Sequence, residues 1–258
     1  MPASSEPQIQ ILADPAAVAD AAAELMIATA AAAIRDRGRF TLALAGGSTP
    51  ELAYTRLATP ENSTHIDWTR TELWFGDERL VPPDDARSNF AMVQRSLLVA
   101  VPIPPENIVP IATDRGSAAA CAEAYADRLS QRFQLARPGP PPRFDLILLG
   151  LGDDGHTASL FPGQPSLNEG NAWTVGCPPG VLPPPVDRVS LTFPVLNAAR
   201  SVLFLVTGAK KAAIVHKILR ESPSISEAPA VGVQPVAGTV TWLLDRAAGW
   251  CGRWAGGL

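Results

Sequence analysis

Short apolar runs alternate with segments of helical period along the chain. The stretch from Asp14 to Arg37 is alanine-rich and apolar yet carries Asp20 and Glu24. That pattern predicts a buried or half-buried helix and not a membrane span. Phe40 to Ala45 reads as a strand, with a helix starting near Pro50. A second apolar run, Glu72 to Phe75, leads through a polar loop to a helix over Asn89 to Val99, and another helix follows over Ser117 to Phe133. ARPGPPPR (136–143) is a proline-stiffened loop, then Phe144 to Leu149 reads as a buried strand. A second proline-rich loop, CPPGVLPPP (177–185), precedes a strand near Val189 to Thr192, a β-rich run from Ser201 to Val206 and a helix from Ala209 to Arg220. This alternation predicts an α/β fold: a mostly parallel sheet with helices on both faces. No internal repeat or shift in composition divides the chain, so a single domain over residues 1–258 is expected.

In such sheets ligands sit beyond the carboxyl ends of the strands. Three strand ends draw attention. The first reads Gly46-Gly47-Ser48-Thr49-Pro50-Glu51. Ser48 with Glu51 fits a capping box and Pro50 suits the first helical position. A helix start with free N–H groups is equally an anion site. The last reads Thr207-Gly208-Ala209-Lys210-Lys211. Cations at a helix N-terminus cost roughly 0.3–1 kcal/mol, so either the lysines point into water or an anion sits there. The second, Asp77-Glu78-Arg79, is either a solvated turn or a place where substrate is handled, and Ser88-Asn89 starts the next helix as a cap.

The segment LLGLGDDGHTASLFPG (148–163) spells G-x-G-x-x-G with Gly150, Gly152 and Gly155 after a strand. A dinucleotide loop needs a helix packing on that strand and pyrophosphate at its N-terminus. Here Asp153 and Asp154 stand where phosphate charge would go, and Pro162, Gly163 and Pro165 stop any long helix. Glu169, the acidic candidate for a ribose, follows those breaks and not a second strand. The segment therefore speaks for His156. An imidazole with a pKa near ~6.5 accepts a proton at neutral pH, and a neighbouring carboxylate fixes its tautomer. No serine or cysteine nucleophile elbow is evident, so the simplest chemistry is activation of a water. His65 and His216 lack such a context, and three histidines in all make a histidine metal cluster improbable.

The bulk numbers narrow this further. The 258 residues are 47% hydrophobic and 18% charged, enough for a sizeable core. A net charge of −4 argues against a nucleic-acid partner but not against a small anion held by a few local cations. Cys121, Cys177 and Cys251 form no C-x-x-C, and MPASSEPQIQ lacks the pattern of a signal peptide. A reducing, cytoplasmic setting is the expectation, with no membrane and no obligate protein partner evident.

In order, the chain carries Gly46-Gly47-Ser48-Thr49-Pro50, Asp77-Glu78-Arg79-x-Val81-Pro82 with Ser88-Asn89, Gly150-x-Gly152-x-Asp154-Gly155-His156-Thr157-Ala158-Ser159-Leu160-Phe161-Pro162, and Thr207-Gly208-x-Lys210. Over residues 12 to 247, through to Trp242-Leu243-Leu244-Asp245, it resembles the 6-phosphogluconolactonase family. The resemblance implies a Rossmann-like α/β fold shared with glucosamine-6-phosphate deaminase. It implies hydrolysis of 6-phospho-D-glucono-1,5-lactone to 6-phospho-D-gluconate in the oxidative pentose phosphate pathway, with no metal or organic cofactor. It makes His156 the general base, with Asp154 orienting it or the substrate. Arg79 would contact the lactone end, with Asp77 in the same catalytic group. Gly46, Gly47, Ser48 and Lys210 would hold the phosphate, with Arg188 near it and Asn89 on the substrate. The related deaminases carry an Asn-Glu pair shortly after the histidine and an aromatic residue in place of Arg79. Here those positions read Leu160-Phe161 and Arg79. A non-enzymatic sugar-phosphate sensor would lose the base, and no basic helix-turn-helix segment is present to serve as an output.

Overall fold

The computed structural model describes residues 6–179 and 185–249. In chain order the strands and helices are β1 (Gln8–Leu12), α1 (Pro15–Arg37), β2 (Phe40–Leu44), α2 (Ser48–Leu57), α3 (Pro60–Ser63), β3 (Thr71–Phe75), β4 (Asp77–Arg79), α4 (Asn89–Val93), β5 (Ile108–Val109), α5 (Ala118–Phe133), β6 (Leu146–Leu149), β7 (Thr174–Cys177), β8 (Arg188–Leu191), α6 (Phe193–Ala198), β9 (Ser201–Val206), α7 (Ala212–His216), β10 (Thr239–Asp245) and α8 (Arg246–Gly249).

Seven strands form one parallel sheet in the order β1-β10-β9-β6-β2-β3-β5. Its central strands β2 and β6 are buried along their whole length, as parallel strands covered on both faces must be. From β2 the chain steps outward to β3 and β5, whereas from β6 it steps the other way to β9 and β10. The order therefore reverses between β2 and β6, and their carboxyl-end loops diverge over a crevice.

Local chemistry explains the helices. Asp14 caps α1 by accepting from the Ala17 amide at 2.9 Å, Pro15 takes the first turn, and Gly38 closes the helix at φ 78. The face carrying Val18, Ala22, Met26, Ala30 and Ala33 is buried against the sheet, so the apolar helix is a core element. The helix read from Asn89 begins as α4 and continues through a π-helical turn over Gln94–Leu98. The helix read from Ala209 is a 3₁₀ turn over Ala209–Lys211, then α7, then a π turn over Lys217–Glu221.

Two readings need correction. The strand near Val189 does not join the main sheet. As β8 it is the middle of a separate three-stranded antiparallel sheet, β4-β8-β7, that packs on α5. Asp77-Glu78-Arg79 is not a solvated turn: it is β4, and Asp77 and Glu78 are buried. Gly76 joins the two sheets, its amide donating to Leu44 O and its carbonyl accepting from Leu191 N, both at 2.8 Å. Loop 136–143 is irregular as expected, while residues 180–184 of the second proline-rich loop, and Cys251, lie outside the described residues. Cys121 and Cys177 are buried free thiols.

At the amino ends of the strands Asp145 ties β2 to β6. Its buried carboxylate accepts from the Thr41 amide at 2.8 Å, the Thr41 hydroxyl at 2.9 Å and Arg37 Nε at 2.8 Å. Removing it leaves a buried amide and hydroxyl, and a partly buried guanidinium, without their acceptor. Asp145→Ala is expected to lower stability by about 3–5 kcal/mol, read as a shift in urea midpoint. Turnover per folded molecule should persist, because the crevice lies at the opposite end of these strands.

Candidate active site

The crevice is built from strand ends that two buried tyrosines hold in place. Tyr54 Oη accepts from the Ala45 amide and donates to the Ala45 carbonyl, both at 2.9 Å, which fixes the end of β2. Tyr125 Oη treats Phe75 at the end of β3 in the same way, at 2.9 and 3.0 Å. Burial pushes both phenols well above their ordinary pKa, so each stays a neutral donor and acceptor. After Ala45 the chain turns through Gly46 and Gly47, the latter at φ 105, into α2. The capping box does not form. Gly47 is the cap, Glu51 N bonds to Gly47 O, and Pro50 is the third helical residue.

Gly46 has no room for a side chain, because a Cβ there would fall 2.0 Å from Asn89 Oδ1. Asn89 in turn donates to Asp77 O at 2.9 Å and to Asp77 Oδ1 at 3.2 Å. Glu78, on the same short strand, caps the next helix. Its carboxylate accepts from the Arg79, Asn89 and Phe90 amides at 2.7–2.8 Å and from Ser88 Oγ at 3.0 Å. Burial raises the pKa of Glu78, and the three amides oppose that rise.

Beyond β6 the backbone closes into a tight loop, with Gly152 N donating to His156 O at 2.8 Å and Gly155 N to Gly152 O at 3.0 Å. His156 Nδ1 lies 2.6 Å from Asp154 Oδ1, and the His156 amide donates to the same oxygen at 3.0 Å. Burial works to raise the Asp154 pKa, but the hydrogen bonds and charge of His156 outweigh it and hold the carboxyl below its usual value. The glycines serve this pair. A Cβ on Gly152 would stand 2.0 Å from His156 Nδ1 and 2.5 Å from Asp154 Oδ1, while one on Gly155, at φ 83, would stand 2.8 Å from Ala228 Cβ. The imidazole also lies against Phe161, ring centroids 4.5 Å apart.

These pieces enclose a cavity of about 270 Å³. Its wall comes from Ala45–Pro50, from Asp77 and Arg79, from Gly150–Asp153 with His156 and Ala158, from Arg188 and from Lys211. Asp77 Oδ2 accepts from Ser159 Oγ at 2.6 Å, linking β4 to the histidine loop. Arg79 and Arg188 stand opposite each other in the β4–β8 register. Like charges so placed repel, and an anion between them reverses the sign. Burial lowers the pKa of Arg188, with Asp77 opposing, and its guanidinium lies 5.2 Å from the Phe161 ring centre. Arg79 Nη1 donates to Arg87 O at 2.7 Å, and its Nε is buried without a partner among the described residues. Among the described residues no three or more His, Cys, Asp or Glu side chains are grouped as a metal site.

The sequence was compared with families and proteins of known identity. The family model described as glucosamine-6-phosphate isomerases/6-phosphogluconolactonase matches residues 13–242. The chain belongs to this family. A 6-phosphogluconolactonase of Rattus norvegicus is 41% identical over 93% of this chain and 91% of its own length. One from Nostoc sp. is 38% identical, covering 93% and 96%. Among solved structures, the 6-phosphogluconolactonase of Trypanosoma cruzi superposes with a TM-score of 0.83 at 31% identity, covering 95% of this chain and 97% of that one. A monomeric glucosamine-6-phosphate deaminase, at 20% identity and a TM-score of 0.77, shares the fold.

Within this 6-phosphogluconolactonase family frame, the cavity gathers most of the residues singled out from sequence. His156, Arg79, Asp77, Gly46, Gly47, Ser48 and Arg188 line it, and Asp154 stands behind His156. Two placements differ. Lys210 is exposed and does not line the cavity; its neighbour Lys211 does. Asn89 is buried behind Gly46, where it braces Asp77 instead of facing the cavity. Tyr54 and Tyr125 were not singled out, and the bracing roles of Glu78 and Ser159 were not read, because a side chain in a helical or loop segment carries no spacing that marks its distant partner.

Gly152→Ala tests the fit of the histidine pair. The added methyl overlaps both partners, so turnover is expected to fall about 10²-fold or more, while the far-ultraviolet circular dichroism spectrum stays that of the parent.

Proposed function

We propose that this chain hydrolyses 6-phospho-D-glucono-1,5-lactone to 6-phospho-D-gluconate by water that His156 activates. The observation that carries the reading is the 2.6 Å contact of His156 Nδ1 with Asp154 Oδ1 at the wall of a cavity that also holds Arg79, Arg188 and Lys211. With the Asp154 carboxylate on Nδ1, that nitrogen keeps the proton and Nε2 is the acceptor. A water gives its proton to Nε2 as its oxygen bonds to the lactone carbonyl carbon. The carbonyl becomes a tetrahedral oxyanion, for which Arg79 supplies the nearby cation. Collapse breaks the bond from that carbon to the ring oxygen, and the imidazolium returns the proton to the leaving oxygen. The product is the open-chain acid, which ionises in solution. We assign the phosphate to the Gly46–Ser48 turn, Lys211 and Arg188, and give Asp77 the task of holding Ser159 and the arginine strand in place.

A glucosamine-6-phosphate deaminase needs a second carboxylate shortly after the histidine, and Leu160 and Phe161 occupy that place, both buried. The lactonase reading is thus the better supported.

Lactone generated in place from glucose 6-phosphate, followed with and without the protein, tests the reaction. His156→Ala should remove about 10²–10⁴ of the acceleration while calorimetric binding of 6-phosphogluconate survives. Near-parental turnover would sink the general-base role. Lys211→Ala should raise KM about tenfold with little change in kcat, and Lys210→Ala should change neither; the reverse ranking would return the phosphate to Lys210.

The lowered Asp154 pKa sets a direction with pH. A carboxylate whose folded pKa lies below its unfolded value, ordinarily ~3.9, contributes stability that is present above the unfolded value. That contribution is lost only as pH falls through the folded one. Asp154→Asn should therefore destabilise the protein at pH 6, and its difference from the parent should shrink as pH falls below the ordinary carboxylate range, as followed by thermal unfolding across a pH series. A difference that stays constant down the whole series would show that the charge of Asp154 is not what matters.

A further inference from the structure

We infer that Asp153 is a built-in competitor for the phosphate of the substrate, holding Lys211 until a phosphate displaces it. The inference rests on the phosphate role proposed above for Lys211. Both residues line the cavity, and Lys211 Nζ stands 2.5 Å from Asp153 Oδ1. Lys211, the one lysine among the described residues that line the cavity, thus already has a carboxylate partner. A phosphate dianion reaching that ammonium meets the Asp153 charge at the same place, and like charges at contact distance oppose each other strongly.

The loop's construction says what gives way. Its backbone is pinned by the Gly152–His156 and Gly155–Gly152 hydrogen bonds, and Asp154 is committed to His156 through two bonds to one oxygen. Asp153 lies between these fixed points, yet its side chain is 51% exposed, whereas that of Lys211 is 25% exposed. The aspartate is the partner free to rotate into solvent, and its rotation leaves the histidine pair undisturbed. The exchange therefore acts on phosphate affinity and not on the chemical step. It also favours ligands carrying a full phosphate dianion over those carrying a single negative charge, since only the former outbids an internal carboxylate. Asp153 on this account sets specificity, acting through Lys211.

Calorimetric titration with 6-phosphogluconate, and separately with inorganic phosphate, tests this on the full chain. Asp153→Asn should tighten both about fivefold, the worth of a partly exposed ion pair, and lower KM with kcat unchanged. Asp153→Ala should do the same, which separates loss of charge from any new amide contact. In a Lys211→Gln background, which keeps a donor so that binding stays measurable, Asp153→Asn should change affinity less than twofold. Equal tightening in both backgrounds would overturn the exchange in favour of a diffuse charge effect. Weakened binding would overturn it too, by making Asp153 a direct contact of the ligand. If the parent fails to turn over lactone while the binding pattern holds, the activity proposed above falls and the competitor stands. If turnover is present and affinity does not respond, the competitor alone falls.

Discussion

Everything at the site depends on β2 and β6 being neighbours that send the chain in opposite directions. Parallel strands bond through their backbones along their length, but at the carboxyl end each must hand over to a connection. Where the order reverses, the two connections part, and the amide groups of both loops face one crevice. Here those loops are the glycine turn at Gly46–Gly47 and the glycine loop from Gly150 to Gly155. They approach so closely that a Cβ on Gly150 would lie 3.8 Å from Gly46 O. One loop presents open backbone and the other presents an imidazole. Their adjacency comes from the pairing of Leu42 with Leu146 and Ala43 with Ile147, far from either loop tip. Asp145 reinforces that pairing at the opposite end.

The crevice needs a second wall, and the small antiparallel sheet supplies it. Gly76 carries the chain from β3 straight into β4 while bonding to both sheets. The tyrosines at Ala45 and Phe75 satisfy strand-end peptides that would otherwise be buried without partners. With both strand ends fixed, the Asp77–Ser159 bond and the Glu78 cap set the second wall against the first. Glu78 illustrates the cost of such bracing: a buried carboxylate with a raised pKa is tolerated because three amides and a hydroxyl converge on it.

The central strands were legible because burial on both faces leaves an unbroken apolar run, as in Leu146 to Leu149. Edge strands carry no such mark. β1 alternates Gln and Ile and is mostly exposed, so its sequence is that of any polar tail. β4 is three charged residues, and the burial of Asp77 and Glu78 among them follows from distant partners that no spacing marks. The histidine loop was legible through its glycines, which exclude side chains that would strike the imidazole. Which of two adjacent lysines lines the cavity is decided by geometry that the sequence does not spell out. Lys210 and Lys211 share a 3₁₀ turn, where successive side chains point about 120° apart. Only the start of that turn, set by Gly208 at φ 97 and held by the Asp245 carboxylate, decides which lysine faces inward.

The same geometry reconciles an acidic chain with an anionic substrate. Net charge acts over distances that salt screens within about 10 Å, whereas the cations that matter stand on three separate elements around one cavity. Arg79 and Arg188 are braced by buried neighbours on β4 and β8, and Lys211 sits on a short turn beside a movable carboxylate. The backbones that carry the arginines are thus paired to each other, and the burial of Arg188 in a low-dielectric wall strengthens its electrostatic effect. The His156 imidazole is fixed independently, by a loop whose own hydrogen bonds close it. Lys211 pairs with Asp153 while His156 pairs with Asp154, so among the described residues the two contacts on this one loop use different carboxylates and the imidazole is held apart from the lysine.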